Sequence, residues 1–333
     1  MGNSNALSSR ARTWAIRAGS FAIAAVLLWF ALRNADFAAV GTALKQANWW
    51  WMPPAVVATY ASHWLRAERW CLMMDKLPGQ SRRTSRVVAF LSLMVGYMAN
   101  YAGPRVGELI RTGNVAAHEK IPFSTLLGTV VVERVLDVVM LGLGLLMLPL
   151  IYGNELPALI DALGRPLGSV STGTWLLLSG AALVGGGVVF WLVVLRRSSG
   201  ESRLGRLIQT FRSGLLSVLR TGRTGTLIVQ SVAMWACYVF MAWVPFAMLH
   251  MTDFSMLDAL GIMLIGSIGV VIPAPGGIGT YHFITVQALG LLYLVPETDA
   301  ATYALLTHTG QMVMYVAAGF LGILYLGNRP ARS

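Results

Sequence analysis

The chain has 333 residues, 56% of them hydrophobic and only 12% charged. That balance excludes a soluble globular domain and reads as an integral membrane protein. Its 25 Lys and Arg against 14 Asp and Glu give a formal net charge of +11. These basic residues cluster between apolar runs, where anionic lipid headgroups attract them at the cytoplasmic face, so no nucleic-acid partner is expected.

In chain order, the apolar run 14–32 is long for a signal-peptide core and reads as an uncleaved anchor. A second run, 49–65, opens on Trp49-Trp50-Trp51, which suits an outer aromatic belt. The stretch 66–86 carries Arg66, Arg69, Lys76, Arg82, Arg83 and Arg86 and reads as cytoplasmic, with His63 as an interfacial residue. The next apolar segment, after Val87, breaks at Asn100-Tyr-Ala-Gly-Pro-Arg-Val-Gly-Glu108 and is too short to span a bilayer comfortably. A full-length run follows at 123–150, then a stretch poor in basic residues at 151–173.

The second half repeats this order. A run at 174–195 leads into 196–225, which holds seven Arg residues and reads as cytoplasmic. Within it, apolar residues recur at helical spacing over 203–220, as in a helix lying in the cytoplasmic interface. The run 226–249 comes next. The segment after Leu257 then breaks at Pro273-Ala-Pro-Gly-Gly-Ile-Gly279. The last run is 301–326, followed by Arg329 and Arg332. His118 and His250 read as loop residues.

Counting Lys and Arg on each side makes both broken segments begin and end on the same face. The expected fold is an all-α integral membrane protein, built as a single domain over 1–333. It has about six full transmembrane helices and two opposed re-entrant helical hairpins, at 87–120 and 257–295, with both termini cytoplasmic. Paired interruptions in matching positions of two halves, about 1–150 and 174–327, point to an inverted repeat with a transport site between them. Glu133 lies 11 residues past Pro122 and His308 lies 12 past Pro296, which places both near the midplane, about 16–18 Å deep.

The breaks supply the candidate chemistry. Irregular backbone at membrane depth must line a cavity or be covered by protein. Asn100 and Pro104 shape the first break, and Pro275, Gly276, Gly277 and Gly279 let backbone approach a ligand at the second. Two helix N-termini aimed at the midplane suit an anion such as phosphate. Arg105 and Arg111 are the candidate phosphate ligands, because a guanidinium is bidentate. Glu108, Glu133, Arg134 and Asp137 add charges that are costly in a membrane unless they face a pathway or pair with one another. Tyr281, His282, His308 and Gln311 supply polar groups in the second half, as ligands or as interhelical hydrogen bonds. No metal site or cofactor is expected: His118-Glu119 opens like a zinc-protease motif, but Pro122 stands where the second His belongs. Cys71 and Cys237 are far apart and give no disulfide framework.

Three motifs in this order, Asn100-x-x-x-Pro104-x-x-x-Glu108-x-x-Arg111, Glu133-Arg134-x-x-Asp137 and Pro273-x-Pro275-Gly-Gly-x-Gly279, resemble the lysylphosphatidylglycerol synthase transmembrane-region family, also called flippase-like domain proteins. The resemblance covers nearly the whole chain. It implies a multi-pass protein of a bacterial or archaeal inner membrane, associated with moving lipids between leaflets. Members fused to a soluble aminoacyl-transferase domain also make lysyl lipids. This chain ends at Ser333, just past its last apolar run, so the resemblance carries over only the membrane part. Many members carry Glu three positions after the last Gly of the second motif, where this chain has His282. The reading is a flippase or translocase for a phosphate-containing lipid, a phospholipid or a polyisoprenoid phosphate. The alternatives are a secondary transporter of a soluble anion and a membrane-embedded lipid-modifying enzyme.

Overall fold

A computed structural model describes residues 24–77, 82–103, 105–153, 221–271 and 274–328, with a few isolated positions besides. Every regular element among these residues is helical. The run 174–195, nearly all of the 203–220 stretch, and Pro104 lie outside the described residues.

Helix α1 (Ala24–Leu32) is followed by α2 (Phe37–Gln46), bent away by 81°. Asp36 starts α2 by accepting the Ala38 and Ala39 N–H groups on its carboxylate, as an N-cap should. A single 3-10 turn over Trp49–Trp51 leads into α3 (Met52–Met74), whose first turn holds Pro53 and Pro54, where missing N–H groups cost nothing. Two shorter helices, α4 (Arg86–Ala99) and α5 (Val106–Glu119), pack on each other as a hairpin. Gly96 and Gly107 make this possible: a Cβ on Gly107 would overlap the Gly96 carbonyl oxygen. The chain continues through α6 (Phe123–Leu145) and α7 (Leu148–Tyr152). The second part holds α8 (Thr224–Met248), the hairpin of α9 (Met256–Val271) and α10 (Thr280–Tyr293), and the long α11 (Glu297–Gly327).

The order long, short, short, long thus occurs twice, as α3–α6 and α8–α11. Backbone details recur with it. A positive-φ residue precedes the second short helix in each quartet, Arg105 (φ 57) and Gly279 (φ 81). Left-handed Lys120 and Leu294 end those helices, each two residues before a proline that caps the long helix, Pro122 or Pro296. Helices α3 and α8 run antiparallel, with Asn48 N–H donating to the Met248 carbonyl at one end and Arg69 reaching Ser231 at the other.

Helix α11 is the spine. Its C-terminal half lies along α4, where Gly319 and Gly322 meet Met98, Met94, Val95 and Leu91. Its N-terminal half lies along the second hairpin, with His308 reaching Gly276. The two hairpins therefore occupy opposite ends of one 31-residue helix about 46 Å long. Their tips touch: Gly276 N–H donates to the Asn100 carbonyl at 2.9 Å.

Among the described residues, three helical stretches are long and apolar enough to cross a membrane, Phe123–Tyr152, Thr224–Met248 and Glu297–Gly327, and a fourth if the bent α1–α2 pair is one span. This fits a multi-pass helical membrane protein. The expected run 49–65 is corrected: α3 continues to Met74, so Arg66 and Arg69 sit within a helix and not in a loop. His118 likewise belongs to the last turn of α5, bonded to the Asn114 and Leu326 carbonyls.

Candidate functional site

Three helices bring seven charges together. Helix α3 presents Arg66, Arg69 and Trp70 at spacings of one turn, α5 presents Glu108 and Arg111, and α6 presents Glu133, Arg134 and Asp137. Arg66 Nη1 donates to Glu133 Oε1 at 2.7 Å and to Asp137 Oδ2 at 2.6 Å, while its Nη2 donates to Tyr238 Oη at 3.1 Å. Arg69 bridges Asp137 at 2.6 Å and Ser231 Oγ at 2.9 Å. Arg111 Nη1 donates to both Glu133 oxygens at 3.2 Å. Arg134 reaches Glu108 at 3.1 Å and Asp137 at 3.5 Å.

The cluster is deep. Glu133 and Arg69 have no exposed side-chain surface, and Arg111 has 2%. Arg111 lies over the Trp70 ring, 4.9 Å from its centroid, and Trp70 is held in turn by its Nε1 donating to Thr129 Oγ1 at 2.8 Å. Four guanidinium groups face three carboxylates, so this network carries one uncompensated positive charge. Arg111 Nε and Nη2, Arg134 Nε and Glu108 Oε2 are buried without a hydrogen-bond partner. Arg111, Arg134 and Glu108 line one small cleft, with Asn100, Gly96 and Tyr97. A buried guanidinium with unpaired N–H groups, in a network of net positive charge, is suited to an oxyanion.

The second cluster forms where the hairpin tips meet. His308 Nε2 lies 3.0 Å from the Gly276 carbonyl, which can only accept, so that nitrogen carries the proton. His282 Nδ1 accepts the Gly279 N–H at 3.4 Å. The two imidazole rings are 4.8 Å apart, with Tyr281 at 5.6 Å and Tyr101 at 6.2 Å from His308. The glycines are steric requirements here: a Cβ on Gly276 would enter the Tyr101 ring, and one on Gly279 would overlap the Ala24 carbonyl oxygen. Buried Pro275 opens the turn, and Gly277 closes it by accepting from Thr280 Oγ1 at 3.0 Å.

The expected site residues thus divide. Asn100, Glu108, Arg111, Glu133, Arg134 and Asp137 gather at the first hairpin; Pro275, Gly276, Gly277, Gly279, Tyr281, His282 and His308 gather at the second. Asn100 joins the two through its carbonyl, while its Oδ1 accepts the Gly107 N–H at 2.8 Å. The helix N-termini are therefore partly occupied by the protein's own groups, Asn100 at α5 and His282 at α10. Arg105 is exposed and joins neither cluster. Gln311 lies in a separate cleft between α3, α8 and α11.

Arg66, Arg69, Trp70, Tyr238 and Ser231 were not singled out from the sequence. The usable signal was the i, i+3, i+4 spacing of Arg66, Arg69 and Trp70, visible once the helix is continued past Leu65. His63 is buried at 2% exposure, against Tyr315 and Tyr97. No group of three or more potential metal ligands occurs among the described residues.

The family model described as lysylphosphatidylglycerol synthase TM region matches residues 17–319. The chain belongs to the lysylphosphatidylglycerol synthase transmembrane-region family. No curated protein and no solved structure matches it. Membership in this family and the apolar helices make the chain a multi-pass membrane protein of a lipid-related family. The family match spans both charged and tip clusters, which lie within the matched residues.

Proposed function

We propose that the protein moves a phosphate-containing lipid between membrane leaflets, holding the phosphate at the arginine cleft. The observation that carries this reading is the network of four arginines and three carboxylates, with unpaired N–H groups on Arg111, a residue that lines the cleft. A phosphodiester brings one negative charge, which neutralises the network, and two oxygens for the free guanidinium edge. The substrate is a phospholipid or a polyisoprenoid phosphate of a bacterial inner membrane.

In this reading the two hairpins are re-entrant. With 14 and 16 residues, α4 and α9 are about 21 and 24 Å long, short of the roughly 30 Å hydrocarbon core. Their seats at opposite ends of α11 support entry from opposite faces, with the termini cytoplasmic by the distribution of Lys and Arg. The test is lipid exchange in proteoliposomes, read by dithionite quenching of a fluorescent phosphatidylglycerol. Wild-type protein should accelerate exchange, and Arg111→Ala and Arg134→Ala should slow it. Wild-type vesicles no faster than protein-free ones would refute the reading; suppression of lipid exchange by free phosphate, with phosphate itself transported, would favour a soluble-anion transporter.

A further inference from the structure

The cleft holding Gln311 borders the seam between α3 and α11, and a row of polar side chains leads from it toward the arginine cleft on α4, α5 and α6. On α3, Thr59 and His63 lie one turn apart; on α11, Gln311 and Tyr315 do the same. Tyr97 joins this row to the arginine cleft, which it lines, and its ring stacks on Tyr315 at 5.0 Å. His63 packs 4.7 Å from the Tyr97 ring, with its Nε2 3.0 Å from Tyr315 Oη. Beyond this group, the second cleft is lined by Thr59, Thr307 and Gln311 among methionines and small residues. Tyr60 fastens the two helices beside it by donating to the Met314 carbonyl at 3.1 Å.

Two details mark this row as more than packing. His63 is 2% exposed, yet its Nδ1 is buried with no hydrogen-bond partner. An apolar side chain would fill that space without an orphaned nitrogen, so a ring held there with one nitrogen spare needs an explanation. Gly310 lines the second cleft, and a Cβ built on it meets nothing within 4 Å. The cleft is open at that point and not collapsed around the glycine.

We infer that the α3–α11 seam is the route of the polar head and that His63 is a midway site for the lipid phosphate. This rests on the translocation reading above. With Tyr315 Oη donating to His63 Nε2, the proton sits on Nδ1, which is then free to donate to a phosphate oxygen. Tyr97 and Tyr315 stand between the clefts, and parting of their stacked rings joins them. Thr59 and Gln311 receive the headgroup on the far side, while the acyl chains stay outside in the bilayer.

The experiment uses the purified full chain in vesicles of phosphatidylethanolamine and phosphatidylglycerol. Two readouts are taken together: exchange of fluorescent phosphatidylglycerol, and photo-adducts from a phosphatidylethanolamine bearing a diazirine on its headgroup, mapped by peptide. Wild type should give headgroup adducts on the peptides around His63 and Gln311. His63→Leu should lower both adducts and exchange by roughly tenfold or more, the size of one lost hydrogen bond to a charged group. His63→Gln, which keeps a donor, should stay within about threefold of wild type. Gly310→Phe should plug the cleft and stop exchange at an unchanged thermal midpoint, while Gly310→Ala should behave as wild type. Exchange without seam adducts, or at wild-type rate in Gly310→Phe, overturns the seam and leaves translocation standing. Seam adducts without any exchange in wild type leave the site standing and overturn translocation; neither adducts nor exchange overturns both.

Discussion

Glu133 is the residue on which the charged cluster turns, and its replacement gives a graded test. It is fully buried and accepts from Arg66 at 2.7 Å and from Arg111 at 3.2 Å. At an effective dielectric of 20, each contact contributes roughly 5–6 kcal/mol of gross attraction. Desolvation of the carboxylate offsets much of that, and breaking a buried pair by removing one partner typically costs about 3–5 kcal/mol. Glu133→Gln keeps the shape and removes the charge, leaving the four arginines against two carboxylates. At about 2.1 cal/mol/K of unfolding entropy per residue, the loss corresponds to a midpoint roughly 4–7 °C lower for a chain of this length. The assay is fluorescence-detected size exclusion after heating in detergent. Glu68→Gln is the control: its pair with Arg86 spans 3.4 Å between side chains each about one quarter exposed, so the change should cost at most about 1 kcal/mol. Equal midpoints for the two variants would refute the view that the network is a buried unit held together by its ion pairs.

The hairpin geometry makes further demands. Gly107→Ala should unseat α5 from α4, because the methyl would collide with the Gly96 carbonyl, and should abolish a monodisperse elution peak; Gly113→Ala, with open space around it, should be neutral or stabilising by up to about 1 kcal/mol. Leu294→Gly relieves a left-handed residue that is 85% exposed, and should leave the thermal midpoint unchanged or raise it. In a chain with Cys71 and Cys237 replaced by Ser, Thr298→Cys should react with an impermeant maleimide in intact cells and Lys120→Cys only after permeabilisation; equal reactivity from one side would sink the opposed-hairpin topology.

Much of the frame was legible because the signals are local. Prolines at 122 and 296, the interruptions near Asn100 and Gly276, and the two short apolar segments all sit where the structure places helix starts, tips and hairpins. The charges on α5 and α6 were legible for the same reason: polar residues inside an apolar run stand out. What was hidden is the part that depends on partners from distant segments. Arg66 and Arg69 look like the start of a basic loop until α6 and α8 supply Glu133, Asp137, Tyr238 and Ser231. His63 looks interfacial beside Trp64 and Arg66, and only the approach of α11 buries it against Tyr315. A charge-counting rule assigns arginines to the loop side of a span, so it fails where a helix continues through them into a protein interior.

The two quartets share a backbone plan but divide the chemistry. The first hairpin carries its charges on α5 and on the neighbouring α3 and α6; the second carries imidazoles and phenols at its tip. A buried network with an excess positive charge is tolerable only if it stays compact, and the salt bridges among α3, α5 and α6 keep those helices together. The second hairpin has no such ties among the described residues: its tip is held to the first by Gly276 to Asn100, and to α11 by His308 to Gly276. Two neutral hydrogen bonds cost far less to exchange than a buried ion-pair network. If one half rocks against the other, the second hairpin is therefore the moving part, and the arginine cleft stays intact while access to it changes. His308→Phe, which removes the bond to Gly276 and keeps an aromatic ring, should loosen the tip contact and leave the arginine network intact. Proteolytic or deuterium-exchange protection of 274–280 should fall in that variant while protection of α5 stays constant; a parallel loss at both would show that the hairpins move as one.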